Sequence, residues 1–210
     1  ARLSVVPPPN LVISEAMANP STNTAVLGHN DWWELTNVGT NAVNLRGYRF
    51  DDARGNLDGG ITVTNNVVVQ PGQSVIWVSS MTPDAFRRWW GEKNLPFGLQ
   101  IISYPGNGFN LFGDMIRLWN ATALTDDDWI VSKSFVNLEP GVSLWFDSNL
   151  CEFGCPNVEG ERGAFRAAES DDIGSPGWTN NAQRVVRPRV TSIRRDTAGV
   201  TLTWKTQPGR

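Results

Sequence analysis

The sequence predicts an all-β fold with one short inserted helix. Its 20 Gly and 13 Pro residues fall at short, fairly even intervals between apolar runs, as turn residues do in all-β proteins. Hydrophobic residues make up 40% of the chain and charged residues 19%, which is typical of a globular protein rather than a disordered one. A length of 210 residues provides for one full domain and part of another.

Short apolar runs bounded by turn residues predict the strands. The predicted strands are 11–17, 32–36, 43–50, 61–69, 74–79, 108–112, 115–119, 129–135 and 141–146. Pro71-Gly72 predicts a type I or II turn before the fifth of them. Residues 156–180 are polar and irregular. Segments 189–194 and 200–204 then alternate strictly and predict a β-hairpin.

One segment predicts a helix that crosses over between two strands. Thr82 is suited to the N-cap, Pro83 to the first helical position and Gly91 to the stop. Apolar aromatic residues recur at i, i+3 and i+4 and give the helix one apolar side. They are Phe86, Trp89 and Trp90.

The composition also bears on domain organisation and on partners. Residues 1–10, with the run Pro7-Pro8-Pro9, are predicted to link a preceding domain to one that spans 11–183, and residues 184–210 to begin a truncated β domain or to add strands. A net charge of −3 argues against a nucleic-acid or anionic-membrane partner. No run approaches the length of a membrane span, and the chain opens as a processed segment would.

The two cysteines, Cys151 and Cys155, favour a small disulfide-closed loop in which Gly154 makes the tight turn. Two thiols cannot build a structural zinc site without outside ligands, and the single histidine, His29, lies far away in the sequence. A disulfide fits an oxidising compartment and therefore an extracellular or cell-surface location. A pair of free thiols is the alternative.

Six marks in order resemble bacterial lamin tail domains. Segments 12–17, 31–37 and 45–52 resemble that family's opening strands, and the later marks are Gln70-Pro-Gly-Gln73, Gly113–Leu118 and Ser175-Pro-Gly177. The resemblance implies an immunoglobulin-like β-sandwich within a large secreted or cell-surface protein, without a catalytic role. Ser14 departs from the family's usual Asn. The C-terminal hairpin resembles the opening of a fibronectin-III-like domain.

No catalytic residues are predicted. There is no Gly-x-Ser-x-Gly elbow, and His29 reads as a loop histidine rather than a base or ligand. Glu15 and Glu34 lie mid-strand and, if those strands pair, could face each other as a glycosidase pair does, which defines the rival hypothesis of a glycan-processing hydrolase. Both glutamates belong to the family pattern, so a structural role as hydrogen-bond acceptors is favoured.

Structural calcium is the one cofactor with any support in the sequence. Asp51, Asp52, Asn56 and Asp58 form an oxygen-rich turn, and residues 126–128 form another. The first turn lacks the ligand spacing of an EF-hand, so ordinary Asp-rich turns are favoured over a metal site.

The 10 Trp residues suggest either a very aromatic core or stacking platforms on the surface. Alternation places Trp33 and Leu35 inward, with Trp32 and Glu34 outward. In the later strand it places inward the residues Ile116 and Leu118, and outward Arg117 and Trp119.

An outward Trp beside a charged side chain is the composition of a sugar-binding platform. The predicted ligand-binding residues are Trp32, Glu34, Arg117 and Trp119. The favoured alternative covers Trp32 and Trp119 with the inserted helix or a neighbouring domain. The leading hypothesis is thus a non-catalytic extracellular module that organises neighbouring domains of its polypeptide and binds polysaccharide. A purely structural spacer is a further alternative.

Overall fold

The computed structural model describes residues 9–21, 30–52, 55–106, 108–110, 112–136 and 139–178, and the backbone of 189–196 and 199–205. In order along the chain, its elements are β1 (Leu11–Met17), β2 (Trp32–Asn37), β3 (Val43–Asn44), β4 (Arg49–Asp51), β5 (Ile61–Thr62), β6 (Val68–Val69), β7 (Ser74–Ser79), α1 (Pro83–Trp90), β8 (Gln100–Tyr104), β9 (Asp114–Trp119), β10 (Trp129–Phe135), β11 (Leu144–Asp147), β12 (Cys151–Pro156), β13 (Phe165–Arg166), β14 (Ile173–Gly174), β15 (Arg189–Asp196) and β16 (Gly199–Lys205).

Two sheets face each other across the main core. One has six strands in the order β12-β11-β1-β2-β7-β8, and the other has four in the order β10-β9-β4-β5. Their inward side chains come from alternate positions, among them Trp33 and Leu35 on one sheet and Ile116 and Leu118 on the other. The predicted all-β, immunoglobulin-like sandwich with one short helix is therefore confirmed.

The helix connects two neighbouring strands of the larger sheet. The Thr82 side chain accepts a hydrogen bond from the Ala85 N–H at 3.3 Å, Pro83 opens the helix, and Gly91 ends it with φ of 85°. β7 and β8 pair in parallel, so α1 is the crossover that a parallel pair requires. Among the described residues, no helix is long and apolar enough to span a membrane.

The helix packs on the outer face of the six-stranded sheet and makes a second core. The apolar side of α1 covers Trp32, Ile76 and Val78. Every residue of β2 and β7 is consequently buried. The sheet that separates the two cores has no solvent-exposed face along these strands.

Three predicted strands differ from the structure. Segment 43–50 is split into β3 and β4, which belong to different sheets, because Gly47 has φ of 83° and the Tyr48 N–H bonds to the Leu45 carbonyl at 2.9 Å. Segment 61–69 likewise forms two short strands, β5 and β6. In segment 108–112, the described residues 108–110 and 112 form no strand.

The backbone of β15 and β16 forms the antiparallel hairpin that the alternation predicts. The side chains of this hairpin lie outside the described part of the chain. So do residues 1–8 of the predicted linker 1–10, and residues 179–188 around the predicted domain boundary.

Candidate functional site

A β-bulge places two polar side chains on the outer face of the larger sheet. Ile13 pairs with Leu35 and Glu15 pairs with Glu34, and the register shift between them leaves Ser14 as the extra residue. In a bulge, two residues on one strand oppose a single residue on its partner. Ser14 and Glu15 therefore both lie beside Glu34, and the Ser14 hydroxyl donates to Glu34 Oε1 at 2.5 Å.

The Glu15 carboxyl is completely enclosed by donors. Its Oε1 accepts from the Ser143 hydroxyl at 2.5 Å, the Ser175 N–H at 2.7 Å and the Asn157 amide at 2.9 Å. Its Oε2 accepts from the Ser175 hydroxyl at 2.7 Å. The residue is only 1% exposed, so these neutral groups replace water around the carboxyl.

Glu34 is held in a similar way. Oε1 accepts from the hydroxyls of Ser14 and, at 3.3 Å, Thr36, which in turn contacts the Ser74 hydroxyl at 2.9 Å. Oε2 accepts the Gly177 N–H at 2.5 Å. With none of its surface exposed, Glu34 is as inaccessible as Glu15.

Both carboxyls therefore bind one stretch of chain, residues 173–178, called here the closing segment. It runs across the outer face from Ile173, whose carbonyl accepts the Ser143 N–H at 3.0 Å, to Trp178, whose indole N–H reaches the Asn94 carbonyl at 2.8 Å. A Cβ on Gly174 would lie 2.7 Å from Ser143 Oγ and 3.0 Å from Glu15 Oε1. Only glycine lets the backbone approach this closely.

Burial and mutual repulsion disfavour ionisation of the pair. Burial, and secondarily the charge of Glu34, raises the pKa of Glu15 to about 8. Burial also raises the pKa of Glu34, to about 6, although hydrogen bonds from Ser14 and Gly177 act in the opposite direction. At neutral pH the two opposed carboxyls thus retain a proton between them.

Glu15 and Glu34 face each other across two paired strands, as the rival hydrolase hypothesis requires. Their surroundings, however, differ from those of the carboxyls in a glycosidase. Glycosidase carboxyls flank a substrate and leave room for a sugar and a water. Here Ser175 and Gly177 occupy that space, and both carboxyls are inaccessible to solvent. The arrangement suits hydrogen-bond acceptance, which is the structural role that the sequence favours.

The structure contradicts a sugar-binding platform at Trp32, Glu34 and Trp119, which are all buried, and it confirms the favoured alternative that the inserted helix covers Trp32. Trp32 does point away from Trp33, but Phe86 and Trp90 of α1 cover it, with ring centroids 5.7 and 5.6 Å away. Trp119 packs against two loop residues, Leu57 and Ala123. Its indole N–H donates to the Asp126 carbonyl at 3.0 Å. Neither ring has any exposed surface. Strand alternation alone predicts which face a side chain lies on, but not what covers that face.

The structure instead places an exposed aromatic ring beside Arg117. Trp129, for which the sequence indicates no position, is 45% exposed at the start of β10. The Arg117 guanidinium lies 5.9 Å from its ring centroid and donates to the Gly55 carbonyl at 3.2 Å. Trp129 pairs with Trp119, two residues beyond Arg117, and this register is visible only in the structure.

Three of the four proposed calcium ligands, Asp51, Asp52 and Asn56, accept hydrogen bonds from protein donors. Asp51 Oδ2 accepts the Asn56 N–H at 2.8 Å, and Asn56 Oδ1 accepts the Asp58 N–H at 2.9 Å. Asp52 Oδ2 accepts the Tyr104 hydroxyl at 2.7 Å. In the part of the chain that the structure describes, no three or more His, Cys, Asp or Glu residues are grouped to hold a metal. His29 lies outside that part.

Sequence reasoning missed a second set of interacting carboxyls. Asp31 accepts the Phe109 N–H at 2.5 Å. Burial, together with the charges of Asp52 and Asp114, raises the pKa of Asp31 to about 6, although the Phe109 hydrogen bond acts in the opposite direction. Asp31 precedes β2, Asp52 follows β4 and Asp114 begins β9, so only the fold brings them into range of one another.

The predicted disulfide is confirmed. Cys151 and Cys155 are bonded, with 5.6 Å between their Cα atoms, and Gly154 adopts φ of 87°. The bridge lies within β12, the outermost strand of the six-stranded sheet. Pairing of β12 with β11 is irregular between Trp145 and Asp147.

The two sheets that face each other across the main core define an immunoglobulin-like β-sandwich. The model of the Lamin Tail Domain family matches residues 5–128, and the chain belongs to that family. A similar solved structure is a DUF4876 family protein from Bacteroides thetaiotaomicron VPI-5482, with a TM-score of 0.43 and 12% identity, covering 80% of this chain and 71% of that one. A search of curated proteins found no match.

Proposed function

We propose that the chain is a non-catalytic extracellular module that organises neighbouring domains and binds polysaccharide on the outer face of its four-stranded sheet. The observation that carries the binding proposal is the half-exposed Trp129 ring with the Arg117 guanidinium beside it. An aromatic face can stack on a pyranose ring while adjacent polar groups bind its hydroxyls.

The strand register supplies such polar groups in a row. Arg117 of β9 pairs with Asp51 of β4 on one side and with Ser132 of β10 on the other. Paired residues share a sheet face, so a cation, a carboxyl and a hydroxyl lie across three strands, and the cation lies beside Trp129. This set offers both donors and acceptors, as sugar hydroxyls require.

Two further observations support the non-catalytic and extracellular parts of the proposal. The carboxyl pair that a hydrolase would use is bound to the closing segment instead. The Cys151–Cys155 disulfide suits an oxidising compartment. We also propose that residues 184–210 begin a fibronectin-III-like neighbour, so that limited trypsin digestion cuts after Arg184 before it cuts within 11–183.

Affinity electrophoresis against a panel of plant and microbial polysaccharides tests the binding. Retardation of the wild type by at least one of them is expected, with loss in Trp129→Ala and partial retention in Trp129→Phe. Phe97→Ala is the matched control, because Phe97 is 90% exposed on a loop after α1 and should not matter. Retardation that survives in Trp129→Ala contradicts the site, and no retardation by any glycan favours the spacer. Release of sugar products, lost in Glu34→Gln, would favour the hydrolase.

A further inference from the structure

The closing segment is attached to the sheet through the two glutamates that face each other beneath it. Ser175 donates its N–H and hydroxyl to Glu15, and Gly177 donates its N–H to Glu34. We propose that Glu15 and Glu34 form a proton-dependent clasp: a proton kept by the pair holds residues 173–178 on the sheet, and loss of that proton releases them.

The geometry makes a doubly charged pair costly. Glu15 and Glu34 are directly opposed on neighbouring antiparallel strands and are both buried. Like charges at such a position repel, and burial removes the water that would screen them. A single proton within the pair removes the repulsion and leaves one carboxylate to accept the backbone N–H groups strongly.

Among the described residues, the groups that surround the pair provide no compensating cation. Neutral donors face it from every adjoining element: Ser14 on β1, Thr36 on β2, Ser74 on β7, Ser143 before β11, Asn157 after β12, and Ser175 and Gly177 of the closing segment. From α1, the Trp90 ring approaches Gly174. The nearby Asp172 binds the Ser21 N–H and the Trp89 indole instead, and Asp171 pairs with Arg166.

Release should be local because the clasp lies apart from the main core. The side chains between the two sheets are apolar and belong to other faces of the same strands. Consistent with the proposal, burial raises the pKa of both carboxyls, and the charge of Glu34 raises that of Glu15 further. The pair therefore loses its last proton on the alkaline side of neutrality.

Amide hydrogen exchange of the full chain, measured from about pH 6 to about pH 9 and corrected for intrinsic exchange rates, tests the clasp. Protection of the Ser175 and Gly177 amides is expected to fall by about tenfold or more over this range. The Leu45 and Gly47 amides, which bond to the Val67 and Val63 carbonyls at 2.8 Å, are the internal reference and should keep their protection.

Glu15→Gln is the decisive variant, because an amide cannot ionise but still offers an acceptor oxygen to Ser175. In this variant the pH-dependent fall at Ser175 and Gly177 should disappear. Glu34→Gln gives a second route to the same result if Glu15→Gln folds poorly. Protection at the two amides that is unchanged to pH 9, falls equally at the reference amides, or falls as steeply in both variants as in the wild type overturns the proposal.

Discussion

Trp32 and Trp33 are consecutive residues of β2, and their rings lie in two different hydrophobic cores. Trp33 stacks on Trp77 between the sheets at a centroid distance of 5.8 Å, whereas Trp32 lies beneath the aromatic side of α1. Strand alternation turns neighbouring side chains to opposite faces, and here both faces are covered. The six-stranded sheet that contains β2 is therefore the central layer of three, with the four-stranded sheet packed on one face and α1 on the other.

Replacing either tryptophan of this pair by alanine is expected to lower the free energy of unfolding by about 3–5 kcal/mol, since each change leaves a large buried cavity. Trp129→Ala, at a half-exposed site, should cost no more than about 1 kcal/mol. Urea unfolding followed by circular dichroism measures all three. A Trp32→Ala cost similar to that of Trp129→Ala would contradict the second core.

Gly177→Ala should destabilise the protein more than Gly72→Ala. Both glycines have positive φ, of 80° and 73°, which costs an alanine roughly 1–2 kcal/mol. A Cβ at Gly177 would also lie 2.7 Å from Pro96 Cδ, whereas a Cβ at Gly72 meets no atom within 4 Å. The difference between the two unfolding free energies isolates the packing contribution, expected at about 1–3 kcal/mol. Equal costs would mean that the closing segment moves away easily.

The free energy of unfolding should fall as pH rises from about 5 to about 8. Burial raises the pKa of Glu15 from 4.5 to about 8, so the folded state binds more protons than the unfolded state across this window. This contribution is fully present below pH 4.5 and is lost as pH rises through the folded value. Chemical denaturation at a series of pH values measures the slope.

Glu15→Gln should flatten that slope, and Glu161→Gln, at an exposed glutamate, is the matched control that should leave it unchanged. A slope that stays as steep in Glu15→Gln as in the wild type would assign the pH dependence to other groups, such as Asp31, whose pKa burial also raises.

Reducing the disulfide should lower stability only modestly. Cys151 and Cys155 are separated by 4 in sequence, and closing so small a loop is worth about 2 kcal/mol. Unfolding curves with and without a thiol reductant measure the difference. Alkylation of both cysteines in the untreated, freshly purified protein would show instead that the thiols are free.

Much of the sandwich follows from local sequence patterns. β1, β7, β10 and α1 have the predicted bounds, because each combines a clear apolar period with flanking turn or cap residues. β8 was not predicted, since Gln100 and Ser103 interrupt its apolar pattern. Its place in the sheet comes from parallel pairing with β7, a tertiary contact.

The candidate sites were less predictable because they, like β8, depend on tertiary contacts. The opposed positions of Glu15 and Glu34 follow from pairing two neighbouring strands, but their partners Ser143, Asn157 and Ser175 are 128, 142 and 160 residues away from Glu15. Such distances leave no trace in local periodicity. Alternation predicts that Trp32 points outward, and the amphipathic helix indicates what covers it, but the loop residues that cover Trp119 depend on how distant elements pack.

The disulfide within β12 bears on whether copies of this chain can associate through the edge of the six-stranded sheet. An unpaired outer strand can serve as a template on which a second copy adds its own strand, and this is a route to aggregation. The Cys151–Cys155 bridge lies within this strand, and its ladder to β11 is irregular. A second copy that adds its strand here would therefore meet an edge that is poorly suited to a continuous ladder.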